Sequence, residues 1–460
     1  MFRRGEFLQQ AVHIEIPNPG SPGRGSRFQR LHARWIGVPV CLLVLFSNSP
    51  VSADKHPRTA VELLTAYSGK SAVQYEEAFE FSAEGRITRI DLHAVGTDLT
   101  TARYSGREPP LKEVNTILRI TTADGHEGVS GVDSYHQGGF SDELLRELQA
   151  VAGEFVRLGS LDPVVVGNVL GERRPALSDA ARASIDIALW DLAARKADLP
   201  LYQMIGAKRD AIEAYASLPF YETLPEYVEA VHEYAKLGFR TFKFHVWGSI
   251  EEDLELVALI QQTFAEDPYE FMVDLESVYD LRDAQKLGEK LDEGLFIWFE
   301  APVDDALLSQ YAMLRDRLAV KIIPAGYTYY SPAYVRQGIT EGAWDAGRFD
   351  VTTVGGISNS LELLKIANDA RTPIEIQSWG HTLTQIANLY LMLANELTVY
   401  FEAPMPKDAF EFGMRNGNLL DRGRARVPGG PGLGVEVAWD TLDTADFHVH
   451  RALDHSEFSE

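Results

Sequence analysis

From Gly206 onward the chain alternates short apolar runs with longer amphipathic stretches. The runs are EAYASLPF, RTFKFHVW, EFMVDLES, FIWFEAP, VKIIPAG, RFDVTTV, PIEIQSW and TVYFEAP, recurring about every 24 to 30 residues. Eight strand-and-helix units in about 200 residues predict an α/β fold built on a parallel (β/α)8 barrel. A doubly wound sheet is the alternative, but it would more usually have fewer strands and a glycine-rich first turn, and no such turn is found. Upstream, ITRIDLHAVGTDL and VNTILRITTADGHEGVSGVDSY read as strands, the last two joined at Asp124-Gly125. Helical patterns follow from Ser141 to about Leu158 and from Ser178 to about Lys196. Ser178 suits the N-cap of the second, with Ile185, Leu189 and Leu192 on one face. The expected organisation is an N-terminal extension (1–86), an α+β domain (87–206), the barrel (207–434) and a C-terminal tail (435–460).

The extension holds a linker-like IPNPGSPGRGSR and an apolar WIGVPVCLLVLF that is too short to span a bilayer. Arg27, Arg30 and Arg34 precede this stretch and Val51-Ser52-Ala53 follows it, the layout of a signal segment, although it starts more than thirty residues from Met1. A disordered tail is the other reading. A cytoplasmic location is favoured, with export if residues 27–53 act as a signal.

Charge narrows the partners. With 67 acidic and 43 basic residues the net charge is −24, which argues against nucleic-acid and anionic-membrane partners and leaves an anionic substrate to be drawn by a local cluster. One cysteine, Cys41, excludes intrachain disulfides and cysteine-rich metal sites.

In a barrel the chemistry sits at the carboxyl ends of the strands. There the sequence places Lys243 and His245 on the second run, Asp274 and Glu276 on the third and Glu300 on the fourth. Tyr327 ends the fifth, Asp350 lies in the sixth, His381 follows the seventh and Glu402 ends the eighth. Alternation along RTFKFHVW puts Lys243 and His245 on one face and Phe242, Phe244 and Val246 on the other. Asp274 and Glu300 suit a hard divalent cation such as Mg²⁺. The histidines suit proton transfer, and Asp350 could orient His381. Two plainer readings stand beside these: Lys243 and His245 as a satisfied interior pair, and Asp274 and Glu300 as ion-pair partners of Lys243.

The motifs ARASIDIALWDLAARKADLPLYQMIGA, KFH, VDLES, WFEAP, DVTTVGGIS and YFEAP resemble the enolase superfamily, in its mandelate racemase-like branch of acid-sugar dehydratases and racemases. The resemblance runs from about Ile87 to about Gly434. It implies a modified TIM-type barrel capped by the α+β domain, and a homo-oligomer. It implies Asp274 and Glu300 as Mg²⁺ ligands, His245 as the base of the second strand and Lys243 on the substrate carboxylate. Asp350 and His381 match the family's dyad, and Glu402 an acid that donates a hydrogen bond to the enediolate. The implied reaction is dehydration of an acid sugar, or racemisation at the same site. The sequence departs from the family at PAGYTYY, where Tyr327 occupies the third ligand position; Glu276 is the nearest substitute. A non-catalytic relative that binds an acid is the reading from another class.

Overall fold

The computed structural model describes residues 59–68, 76–79, 86–96, 101–103, 105–107, 111–112, 114–133, 144, 146–148, 160–173, 177–326 and 330–454. All lie within Lys55–Glu460, the second of two units into which the chain divides. The segment 27–53, Tyr327 and most of the expected helix from Ser141 to Leu158 lie outside the described residues.

In the α+β part, β1 (Ile87–Gly96), β2 (Asn115–Thr122) and β3 (Glu127–Asp133) run antiparallel. The β2–β3 hairpin closes at Asp124-Gly125, with Gly125 N donating to Thr122 O at 3.0 Å. Helix α2 (Asp179–Lys196) starts where the sequence predicts, the Ser178 side chain accepting from Ala181 N at 3.2 Å. Ile185, Leu189 and Leu192 are buried, yet so is most of the rest of the helix. It lies between the sheet and α3 (Ile357–Asp369) of the barrel. Ser358 N donates to Asp186 at 3.1 Å and the Trp190 indole donates to the Ser358 hydroxyl at 3.0 Å, so two polar residues of α2 dock on the start of α3. Gly356 has φ +109° and a Cβ there would lie 2.4 Å from the Asp186 carboxylate. Gly356 therefore serves this close approach.

The barrel strands are β4 (Ala211–Leu218), β5 (Thr241–His245), β6 (Glu270–Asp274), β7 (Phe296–Glu300), β8 (Lys321–Ile323) and β9 (Tyr400–Pro404). They form a parallel run in the order β9-β4-β5-β6-β7-β8. The sixth and seventh apolar runs are not regular strands, and among the described residues no ladder closes the ring. Backbone bonds from Gly347 N to Pro373 O, Glu375 N to Gly347 O and Gln377 N to Phe349 O tie the two runs together, and Asp345 N to Ile322 O ties the sixth to β8. Toward β9 side chains take over. The Glu375 carboxylate accepts from Val399 N at 3.1 Å, and the Ser378 hydroxyl donates to Glu402 O at 2.8 Å. The architecture is thus a modified TIM-type barrel with an N-terminal cap.

Both ends of the chain depart from expectation. Within the presumed extension, α1 (Ala60–Ser68) is a helix with Ala60, Leu63 and Leu64 buried, its start held by Ala60 N donating to Asp162 at 2.8 Å. The presumed tail returns to the cap, where β10 (Phe447–Asp454) pairs antiparallel with β1 along its length. Periodicity over eight residues rich in histidine and charge is weak, so only the partner strand makes β10 legible. No helix among the described residues is long and apolar enough to cross a membrane.

Candidate active site at the barrel mouth

Strand β5 carries the first two site residues as its alternation requires. Phe242 and Phe244 pack in the apolar core, and Lys243 and His245 are buried on the other face. The Lys243 Nζ lies 3.0 Å from Asp274 Oδ2, 3.0 Å from Glu300 Oε2 and 2.7 Å from Glu402 Oε1. The register of β5, β6 and β7 sets His245, Asp274 and Glu300 side by side, Lys243 reaches the two carboxylates from two residues further back on β5, and β9 supplies Glu402 across β4. Beneath them lies a residue that the sequence reading missed. The fully buried Arg348 guanidinium sits 2.7 Å from Glu300 Oε1 and 2.7 Å from Glu402 Oε2, and it donates to the Tyr215 hydroxyl at 3.1 Å. A signal existed, since Arg348 is two residues before Asp350 and alternation puts both inward. Gly326 lets this segment approach: its φ is +80°, and a Cβ would lie 2.1 Å from Arg348 O.

Of the two plainer readings, the ion-pair one describes this geometry. Burial works against the Lys243 ammonium, but the carboxylates around it hold its pKa well above the usual lysine value. Burial likewise opposes ionisation of Glu402, yet Lys243 and Arg348 bring it down to about 2. Glu402 also accepts from the Ser217 hydroxyl at 2.9 Å, so it is an ionised acceptor rather than the hydrogen-bond donor implied by the resemblance. Burial, with Asp274 and Glu402 adding to it, pushes Glu300 up to about 8 against the pull of Arg348.

Glu276 and Ser277 both adopt left-handed backbone, φ +48° and +60°. That turn brings Glu276 back over β6, with its Oε1 3.5 Å from His245 Nε2, while Asp274 Oδ2 is also 3.5 Å away. The His245 Nδ1 contacts Leu218 O at 2.6 Å, which requires the proton on Nδ1 and turns Nε2 toward the two carboxylates. Burial lowers the imidazole pKa, and the Glu276 and Asp274 carboxylates more than reverse it.

Asp350 and His381 are not joined as a dyad. Asp350 accepts from Thr352 N and its hydroxyl at 2.7 and 2.5 Å and from the Asn388 amide at 2.7 Å. His381 is the N-cap of α4 (Thr382–Ala394); its Nδ1 is buried without a hydrogen-bond partner. Burial alone pushes His381 down to about 4. Its neighbour is the Phe410 ring, 5.8 Å between centroids, and the chain of rings continues through Trp379 to His245 at 5.6 and 5.4 Å. Thr352 and Asn388 compete successfully for Asp350, and no spacing in the sequence announces Asn388.

Four carboxylates, Asp274, Glu276, Glu300 and Glu402, thus face two fixed cations, Lys243 and Arg348, an excess of two negative charges. The protein meets that excess by favouring protons on Glu300 and His245. Ligand atoms of His245, Asp274 and Glu276 lie within 4.8 Å of one another. Asp274 and Glu276, with Glu300 beside Asp274 on the next strand, fit one divalent cation as hard oxygen donors, with Glu276 supplying a carboxylate that the third-ligand position lacks. A cavity of about 370 Å³ lined by Glu270, Trp298, Lys321 and Tyr400 lies at the amino ends of the strands, away from this chemistry.

Residues 226–441 match the enolase C-terminal domain-like family, and residues 111–206 match the mandelate racemase / muconate lactonizing enzyme N-terminal domain. The arabinonate dehydratase of Saccharolobus solfataricus is 30% identical over 72% of this chain and 89% of its own length. The chain belongs to the mandelate racemase/muconate lactonizing enzyme family of the enolase superfamily. Within that family it is also similar to the D-Ala-D/L-Ala epimerase of Cytophaga hutchinsonii, 26% identical over 71% of this chain and 89% of the epimerase. A crystal structure of a mandelate racemase/muconate lactonizing enzyme homologue from Pseudovibrio sp. superposes with a TM-score of 0.77 at 30% identity, over 81% of this chain and all of that one. A fold neighbour at 23% identity and a TM-score of 0.70, covering 80% of this chain and 93% of that one, is an L-talarate/galactarate dehydratase mutant liganded with Mg and L-glucarate. The family comprises enzymes, and its members near this chain include dehydratases, epimerases and cycloisomerases.

Proposed function

We propose that the protein is a hydro-lyase acting on an aldonate- or aldarate-type acid sugar. The observation that carries the reading is the contrast between two buried histidines at the barrel mouth. His381 is neutral among aromatic rings, and the His245 Nε2 faces two carboxylates that hold a proton on it. A neutral imidazole is a competent base and an imidazolium a competent acid near neutral pH.

In the proposed step His381 takes the proton α to the substrate carboxylate. The electron pair forms the enediolate, then the α,β double bond as the β C–O bond breaks. His245 gives its proton to the departing hydroxyl, which leaves as water, and the enol product tautomerises to a 2-keto-3-deoxy acid. Lys243 meets the substrate carboxylate by exchanging one of its carboxylate partners for it. Asp274, Glu276 and Glu300 are the residues that would hold Mg²⁺. When bound, the ion supplies positive charge for the substrate carboxylate as its α-proton is removed. Arg348 holds Glu300 and Glu402 in place from below.

The test is a panel of aldonates and aldarates with Mg²⁺ present, read by 2-keto-3-deoxy acid formation and, in D₂O, by exchange at the α-carbon. Keto acid formation that vanishes in His381→Asn and in His245→Asn is the expected result. Turnover retained in full by both variants, or α-carbon exchange without elimination across the panel, would overturn the assignment.

A further inference from the structure

A second cluster of titratable groups lies on the cap sheet. Asp91 and His93 are two apart on β1, and His448 and His450 two apart on β10. The register pairs His93 with His450 and Val95 with His448, so all four point to one face. The opposite face of β1 carries Ile90, Leu92 and Ala94 into the cap core.

The contacts are close. His93 Nδ1 lies 3.1 Å from His448 Nε2, and His450 Nε2 lies 2.9 Å from Asp91 Oδ1. The His93 ring stacks on His450 at 4.2 Å and on His448 at 5.4 Å. One ligand atom each from Asp91, His93 and His450 falls within a 4.8 Å group. Asp91 and His93 are buried, whereas the His450 side chain is 41% exposed, which leaves an entry side.

The outer partners are those that ligating groups require. Asp443 sits 2.8 Å from His448 Nδ1, and His448 Nε2 faces His93. Arg89 grips both Asp91 oxygens at 2.7 and 2.8 Å and keeps that carboxylate ionised. In a tetrahedral site with bonds of about 2.0–2.1 Å, donor atoms stand about 3.3 Å apart. Three ligand atoms already lie within 4.8 Å of one another, and rotation of the stacked imidazoles, with His448 turning in beside His93, would bring four donors around one ion.

We propose that Asp91, His93, His448 and His450 bind a late first-row divalent cation, with Zn²⁺ best matched, which clips the carboxyl-terminal strand β10 to β1. Three imidazoles and one carboxylate select Zn²⁺, Co²⁺ or Ni²⁺ over Mg²⁺. None of the four takes part in the barrel chemistry, so the site stands independently of the acid-sugar reading.

The experiment is titration of the metal-stripped full chain with Zn²⁺ near neutral pH in excess Mg²⁺, followed by calorimetry and thermal unfolding. Co²⁺ absorption reports the geometry. The expected result is one equivalent bound, an intense tetrahedral Co²⁺ band and a raised unfolding temperature. Binding should persist in Asp274→Ala and weaken by about tenfold or more in His448→Ala and His450→Ala. Both histidines are solvent-reaching, and circular dichroism checks the fold of the variants. Binding unchanged in the double histidine variant, binding lost in Asp274→Ala, or no binding below the high micromolar range would overturn the site.

Discussion

The two sides of the barrel mouth are built differently. On one side regular parallel strands β5, β6, β7 and β9 present Lys243, His245, Asp274, Glu300 and Glu402 as a dense ion-pair network with Arg348 beneath. On the other the chain from 345 to 381 has no regular strand, and His381 packs against the Phe410 ring with burial as the force on its proton. Two histidines on one barrel are therefore pushed in opposite directions because their neighbours differ. Carboxylates raise the pKa of His245, and desolvation lowers that of His381.

The largest effect should come from emptying the charged side. Arg348→Met leaves Glu300 and Glu402 short of their buried partner and is expected to cost about 3–5 kcal/mol by urea unfolding. A cost below about 1 kcal/mol would mean that water reaches the network and that the contrast between the two sides is overstated.

On the uncharged side, His381→Asn should lower turnover by about 10²- to 10⁴-fold with unchanged circular dichroism. Asp350→Asn sharpens the same point. Asp350 is bound by Thr352 and Asn388, so the variant should cost about 1–3 kcal/mol of stability while leaving turnover within about tenfold. A loss in Asp350→Asn equal to that in His381→Asn would restore the dyad.

A pH dependence follows from the same burial. His381 is lowered to about 4 when folded and returns to about 6.5 when unfolded, so between these values the unfolded chain binds more protons. Its contribution is neutral above about 6.5, and stability falls as pH drops from there toward 4. His381→Asn should flatten that part of the stability curve. The acid limb of kcat/KM, if His381 is the base, should lie well below the ordinary histidine range.

Much of this was legible from order and alternation. The eight apolar runs, the hairpin at Asp124-Gly125, the Ser178 cap and the inward pair Lys243 and His245 follow from local geometry that a strand or helix imposes on its own residues. Placing Asp274, Glu276, Glu300 and Glu402 at one mouth needed only the barrel rule. The sequence could not say how these charges are shared, because that depends on distances between residues far apart in the chain. Tertiary packing alone put Arg348 under two glutamates, gave Asp350 to Asn388 instead of His381 and made Glu402 an acceptor. It also carried β10 back to β1, where three histidines and an aspartate meet. Electrostatic energies change steeply over a few ångströms, so the sequence determined which groups line the barrel and the fold decided what each of them can do.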